Sequence, residues 1–116
     1  MTQPPINIDR AIECLGSEKV FRATVECFLN ETDKMMAALE EAVEAGDLSI
    51  VRDRAHCVKG GLAYLHAGPS SEAAGALQKA AETGCGNLAS NYHRLKQEVD
   101  TLKEALSKKE PLVGEA

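Results

Sequence analysis

Between Asp47 and His66 the apolar residues Leu48, Val51, Ala55, Val58, Leu62 and Leu65 follow one another at steps of three, four, three, four and three. That spacing keeps them on one stripe of an α-helix and on no single face of a β-strand. A helix with one apolar stripe has to bury it against other helices. The same alternation recurs in Leu88, Tyr92, Leu95, Val99, Leu102 and Leu106. A chain that carries two such stripes is committed to a helical bundle.

The remaining segments supply the other helices. Asp9 to Leu15 reads as a short helix closed by Gly16. Ser17 can cap the next one, with Glu18 in its first turn, where a carboxylate suits the helix dipole. Val20, Phe21, Val25, Phe28 and Leu29, then Met35, Met36, Leu39 and Val43, recur at helical spacing as far as Gly46. The polar run Asn30 to Asp33 leaves two readings of this stretch, one helix or two. Asp47 is placed to cap the helix with the first stripe, and Gly68-Pro69 to end it. Ser70 or Ser71 can start another, carrying Ala74, Leu77, Ala80 and Ala81 and stopping near Gly84-Cys85-Gly86. The expected fold is all-α, an antiparallel up-down four-helix bundle with a short extra N-terminal helix. It spans residues 8–107, between a flexible arm at 1–7 and a flexible tail at 108–116.

Composition agrees and removes several functions. Of the 116 residues 44% are hydrophobic but only 3% are aromatic, with no Trp. The core must therefore be Leu, Val, Ile, Ala and Met, which suits helices better than a sandwich of sheets. A net charge of -5 argues against nucleic acid as a partner and against an anionic membrane surface. No apolar run approaches the length of a membrane span. The four cysteines, Cys14, Cys27, Cys57 and Cys85, form no C-x-x-C pair, which speaks against a zinc site. Three of them fall in helical patterns, where Cys is usually a small buried hydrophobe. Met1 to Arg10 lacks a basic start followed by an apolar stretch, so a cytoplasmic protein with reduced thiols is expected.

The chemistry sits on the helix with the first stripe, in the run Arg54-Ala55-His56-Cys57-Val58-Lys59-Gly60-Gly61-Leu62-Ala63. On an ideal wheel the centre of the apolar stripe lies roughly 130° from His56, so the imidazole points outward beside the core. Two glycines in mid-helix each cost up to about 1 kcal/mol against Ala and call for a reason. Gly60 lies one turn after His56 on the same face, where a missing side chain clears space beside the ring. Gly61 suits a close contact between helices. Lys59 places a cation one turn away, able to balance phosphoryl charge. Each residue alone is ordinary: a surface His, a packing Gly, a solvated Lys. His66, near the helix end, and His93, on a polar face, have no cleared neighbourhood and read as structural or surface residues. Cys57 points about 100° away from His56, which speaks against a Cys-His pair.

With Ala55-His56-x-x-Lys59-Gly60 and small residues following, the chain resembles the histidine-containing phosphotransfer (HPt) domains. The resemblance runs from about Ile8 to Leu106 and includes Phe28-Leu29-Asn30-Glu31 and the Leu-rich last helix. It implies a four-helix bundle with a reactive His exposed midway along one helix. It differs from the family pattern in three places. Gly61 stands where Ser is frequent, His66 where Gly is frequent, and Leu77-Gln78 where Leu-Glu is frequent. Chemotaxis kinases use a Glu near the reactive His, so Gln78 leads away from that subgroup.

The resemblance implies that His56 accepts a phosphoryl group from a receiver aspartate or a histidine kinase and passes it to a response regulator. Lys59 gives electrostatic support and Gly60 steric access. The chain needs no cofactor of its own, and Mg²⁺ is expected on the partner receiver domain. The sequence carries no nucleotide-binding motif, so the expectation is a phosphocarrier rather than an autonomous ATP-dependent kinase. Its expected partners are receiver domains of response regulators or hybrid histidine kinases, and it is expected to be a monomer. The alternative is a docking or regulatory bundle that binds a kinase or receiver while His56 stays unmodified.

Overall fold

The computed structural model describes residues 5–84 and 86–108. Five helices make up this part: α1 (Ile8–Leu15), α2 (Glu18–Ala45), α3 (Leu48–Tyr64), α4 (Gly68–Thr83) and α5 (Leu88–Lys108). No strand occurs among the described residues. Residues 1–4 of the arm drawn over 1–7, residues 109–116 of the tail, and Cys85 lie outside them. Within the arm, Ile6 is buried, and Asn7 caps α1 by accepting from the Arg10 N–H at 3.1 Å.

The helix ends follow local chemistry. The Ser17 hydroxyl accepts from the Val20 N–H, and the Asp47 carboxylate from the Ile50 N–H at 3.2 Å, each satisfying a donor of a first turn. Gly16, Gly46 and Gly84 close α1, α2 and α4 in the left-handed conformation that suits glycine. At the end of α3 the structure departs from the sequence expectation. Gly68-Pro69 does not terminate α3 but opens α4, whose N-cap, Ala67, offers no side-chain oxygen. Proline fits there because the first turn has no use for its missing N–H. The chain turns instead at His66, with φ +58°.

α2 is one helix. The stretch 30–33 stays in phase because Thr32 is buried there and continues the spacing from Phe28 to Met36. The core joins α3 (Val51, Ala55, Val58, Leu62, then Leu65), α4 (Ala73, Ala74, Leu77, Ala81) and α5 (Tyr92, Leu95, Val99, Leu102, Leu106) to Phe21, Met36 and Leu39 of α2. α2 packs on α3, α3 on α4, α4 on α5 and α5 back on α2, while α1 packs on α2. Leu48, the first member of the α3 stripe, is not part of this core; it is 42% exposed. It stands in the first turn, beyond the reach of the packed layers, with the α4 end at Gly84 beside it.

Cys14, Cys27 and Cys57 lie on helices as expected but are exposed free thiols, not buried ones. Each sits on the outer side of its helix, where the neighbouring apolar residues have already filled the packed face. No helix of the described residues is long and apolar enough to cross a membrane.

Candidate functional site

The stripe that buries Val51, Ala55, Val58 and Leu62 turns the opposite side of α3 outward. Arg52, Asp53, His56, Lys59, Gly60 and Ala63 are all exposed there. Arg52 is occupied by its neighbour, donating from Nε and from an Nη to the Asp53 carboxylate at 3.1 and 3.0 Å. His56 looks instead toward α4. Its Nδ1 lies 3.4 Å from Oε1 of Gln78, and Gln78 Nε2 donates to Oε2 of Glu82 at 3.0 Å. A short polar chain thus runs from the imidazole across to α4 and one turn along it.

Lys59 leaves α3 in the same direction. A Cβ placed on Gly75 of α4 would meet Cε, Cδ and Nζ of Lys59 at 3.6, 3.7 and 3.7 Å. The lysine stem therefore lies across the groove that Gly75 leaves open, one turn from the His56–Gln78 contact. None of the ion pairs among the described residues involves Lys59. Its ammonium lies against α4 at Gly75, with its charge not committed to a carboxylate among the described residues.

A Cβ on Gly60 would meet no atom within 4 Å. Among the described residues nothing requires glycine at that position, so the space it leaves one turn from His56 is open to an outside molecule. The same holds for Gly61, where a Cβ would also meet nothing within 4 Å. The expectation that Gly61 allows a close helix contact is thus incorrect. The mid-helix glycine that admits a side chain from the neighbouring helix is Gly75.

The structure brings His56 and Lys59 to one groove between α3 and α4 and leaves Gly60 on the open side. Sequence reasoning noted Gln78 only as a departure from a pattern and did not consider Glu82. A usable signal existed: Gly75, Gln78 and Glu82 follow at steps of three and four, beside the apolar stripe of Ala74, Leu77 and Ala81. What the sequence lacked was the pairing of that row with His56. His93 is exposed on α5, and His66 lies past the end of α3, so neither belongs to the groove. Among the described residues no three His, Cys, Asp or Glu side chains gather to hold a metal ion.

In chemical terms, the groove offers an exposed imidazole with Nδ1 engaged by Gln78, a lysine that crosses to α4 one turn further along α3, and open space at Gly60. That is a nucleophile able to exchange a charged group with a docked partner. A family model described as "Hpt domain" matches residues 23–105, which contain this groove and all of α3 and α4. No curated protein and no solved structure matches the chain.

Proposed function

The chain belongs to the Hpt domain family, whose members carry phosphoryl groups in two-component phosphorelays, and on that premise we propose that His56 is the residue that carries the group here. The observation that carries the reading is the His56–Gln78 contact: Nδ1 is engaged at 3.4 Å, and Nε2 is the ring nitrogen left for reaction. In the forward step the Nε2 lone pair forms a bond to phosphorus. The phosphorus–oxygen bond of the donor's aspartyl phosphate breaks, and its electron pair returns to the aspartate oxygen. Nδ1 keeps its hydrogen, so the ring becomes a cation beside the new phosphoryl group. Passing the group to another aspartate reverses these changes.

In this reading Lys59 gives electrostatic support to the phosphoryl oxygens, and the bare backbone of Gly60 gives a receiver room to approach. The receiver domain supplies Mg²⁺ and the charge stabilisation that phosphoryl transfer depends on. Receiver domains of response regulators or hybrid kinases are the partners of this reading. The up-down antiparallel arrangement of the bundle belongs to it too. Two side-by-side contacts support it for α3 and α4: His56 meets Gln78 and Lys59 meets Gly75, so residue numbers rise on one helix as they fall on the other. Short connections between successive helices support it for the rest.

The test is transfer from phosphorylated receiver domains with Mg²⁺. Wild type is expected to gain an acid-labile, base-stable label that His56→Gln does not gain. Equal labelling of both proteins, or of neither, removes the reading.

A further inference from the structure

The geometry points to Glu82 as the positioning residue that sets the tautomer of His56, acting through the amide of Gln78. The inference deepens the reading of His56 as the phosphoryl acceptor and rests on it. A glutamine amide has an accepting end and a donating end, and a groove that holds only an imidazole does not choose between them. If the NH₂ end faced the ring, Nδ1 would have to offer its lone pair and the hydrogen would sit on Nε2. The nitrogen meant to attack phosphorus would then be blocked.

Glu82 breaks this symmetry. It lies one turn beyond Gln78 on α4 and takes the Nε2 hydrogen of the amide at 3.0 Å. An ionised carboxylate only accepts, so it can hold only the NH₂ end. A hydrogen bond to a charged acceptor outweighs a neutral one, so this contact decides which way the amide turns. Oε1 is left toward His56, 3.4 Å from Nδ1. An oxygen that only accepts requires the hydrogen on Nδ1, and the lone pair then resides on Nε2. The same oxygen faces the ring when phosphorylation makes it a cation. Glu82 touches none of the reacting atoms. It stands a full turn from the position facing the imidazole, where its charge serves orientation.

The experiment reads the ring nitrogens directly. ¹⁵N chemical shifts of His56 are recorded on the full chain near pH ~8.5, where an imidazole is neutral, with His56→Gln identifying the signals. Wild type is expected to hold its hydrogen on Nδ1. Glu82→Ala frees the amide and shifts the population toward hydrogen on Nε2. Glu82→Lys, which can only donate, draws Oε1 to itself and shifts it further. Phosphoryl transfer is expected to slow in the same order, by about tenfold in Glu82→Lys, the worth of one charge-assisted hydrogen bond. Glu82 is exposed, so both variants keep the fold, which circular dichroism checks. Hydrogen on Nε2 in wild type, or a tautomer that neither variant moves, overturns the inference. If the tautomer moves as described but His56 takes no label, the acceptor reading fails and the role of Glu82 in orientation stands. If His56 is labelled normally while the tautomer stays unmoved, the acceptor reading stands and the role of Glu82 falls.

Discussion

His66 has a φ of +58°, the one positive value outside glycine among the described residues. The left-handed region costs an L-residue roughly 1–2 kcal/mol because Cβ crowds the following carbonyl. The turn is held nonetheless, since the His66 N–H donates to the Ala63 carbonyl at 3.0 Å and its own carbonyl accepts from the Asn7 N–H at 3.2 Å. These are backbone contacts that any residue preserves. His66→Gly is therefore expected to unfold at higher urea than His66→Val, by about 1–2 kcal/mol, because only the β-branched residue meets the steric penalty in full. Equal midpoints would mean that the turn relaxes. At the same scale the wheel sufficed to place His56 outside the core, since burial of Ala55, Val58 and Leu62 dictates where residue 56 points. It did not say what the outward ring meets. Gln78 lies 22 residues away, and its contact depends on the alignment of two helices, which no local spacing encodes.

Among the elements, caps and stops were legible because they are made within a few residues: Ser17, Asp47, Gly16, Gly46 and Gly84 act where their types suggest. Elements were left open or overextended where tertiary packing outweighed local preference. Thr32, buried in line with Phe28 and Met36, keeps α2 in phase, and Leu48 is left outside because the stripe outruns the layer it packs on. Contacts between distant elements were also silent. The Tyr92 hydroxyl of α5 donates to the Met36 carbonyl of α2 at 3.4 Å, and Lys103 of α5 pairs with Asp33 of α2 at 2.7 Å. Burial pushes the Tyr92 phenol above its ordinary value of 10.0, and the negative charge of Glu40 adds to the effect. The folded state therefore keeps a proton that the unfolded chain releases first. Stability from this group is fully present below the unfolded value and is lost as pH rises through the folded one. Denaturant titrations from neutral pH to beyond pH 10 are expected to show wild type losing stability more steeply than Tyr92→Phe. Parallel curves would show that Tyr92 ionises alike in both states.

For the whole molecule, the closest association is between α3 and α4. The inner side of α4 is small: Ala73, Ala74, Ala80 and Ala81 surround the single large residue Leu77. Small side chains let the two helices approach, and that approach brings Gln78 to His56 and Gly75 to Lys59. Ala74→Leu forces extra methylenes into a filled layer and is expected to cost about 1–3 kcal/mol. It should also part α3 from α4, so transfer to His56 should slow even where the protein remains folded. Unfolding curves and labelling rates measured together check this. A destabilised protein with undiminished transfer would show that the groove does not depend on the spacing of the helices.

By itself, the sequence determined that the chain is helical, where most helices begin and end, and which side of α3 carries His56, Lys59 and Gly60. These follow from periodicity, capping and sterics, which act over a turn or two. Only the tertiary structure decided that Gly61 admits no neighbour, that Gly75 does, that three of the cysteines are exposed, and that Gln78 and Glu82 stand beside the imidazole. Each of those depends on how far and at what height one helix meets another. That alignment is set by the combined packing of Phe21, Leu39, Leu62, Leu77, Leu95 and Leu102 in one buried core, not by any segment alone.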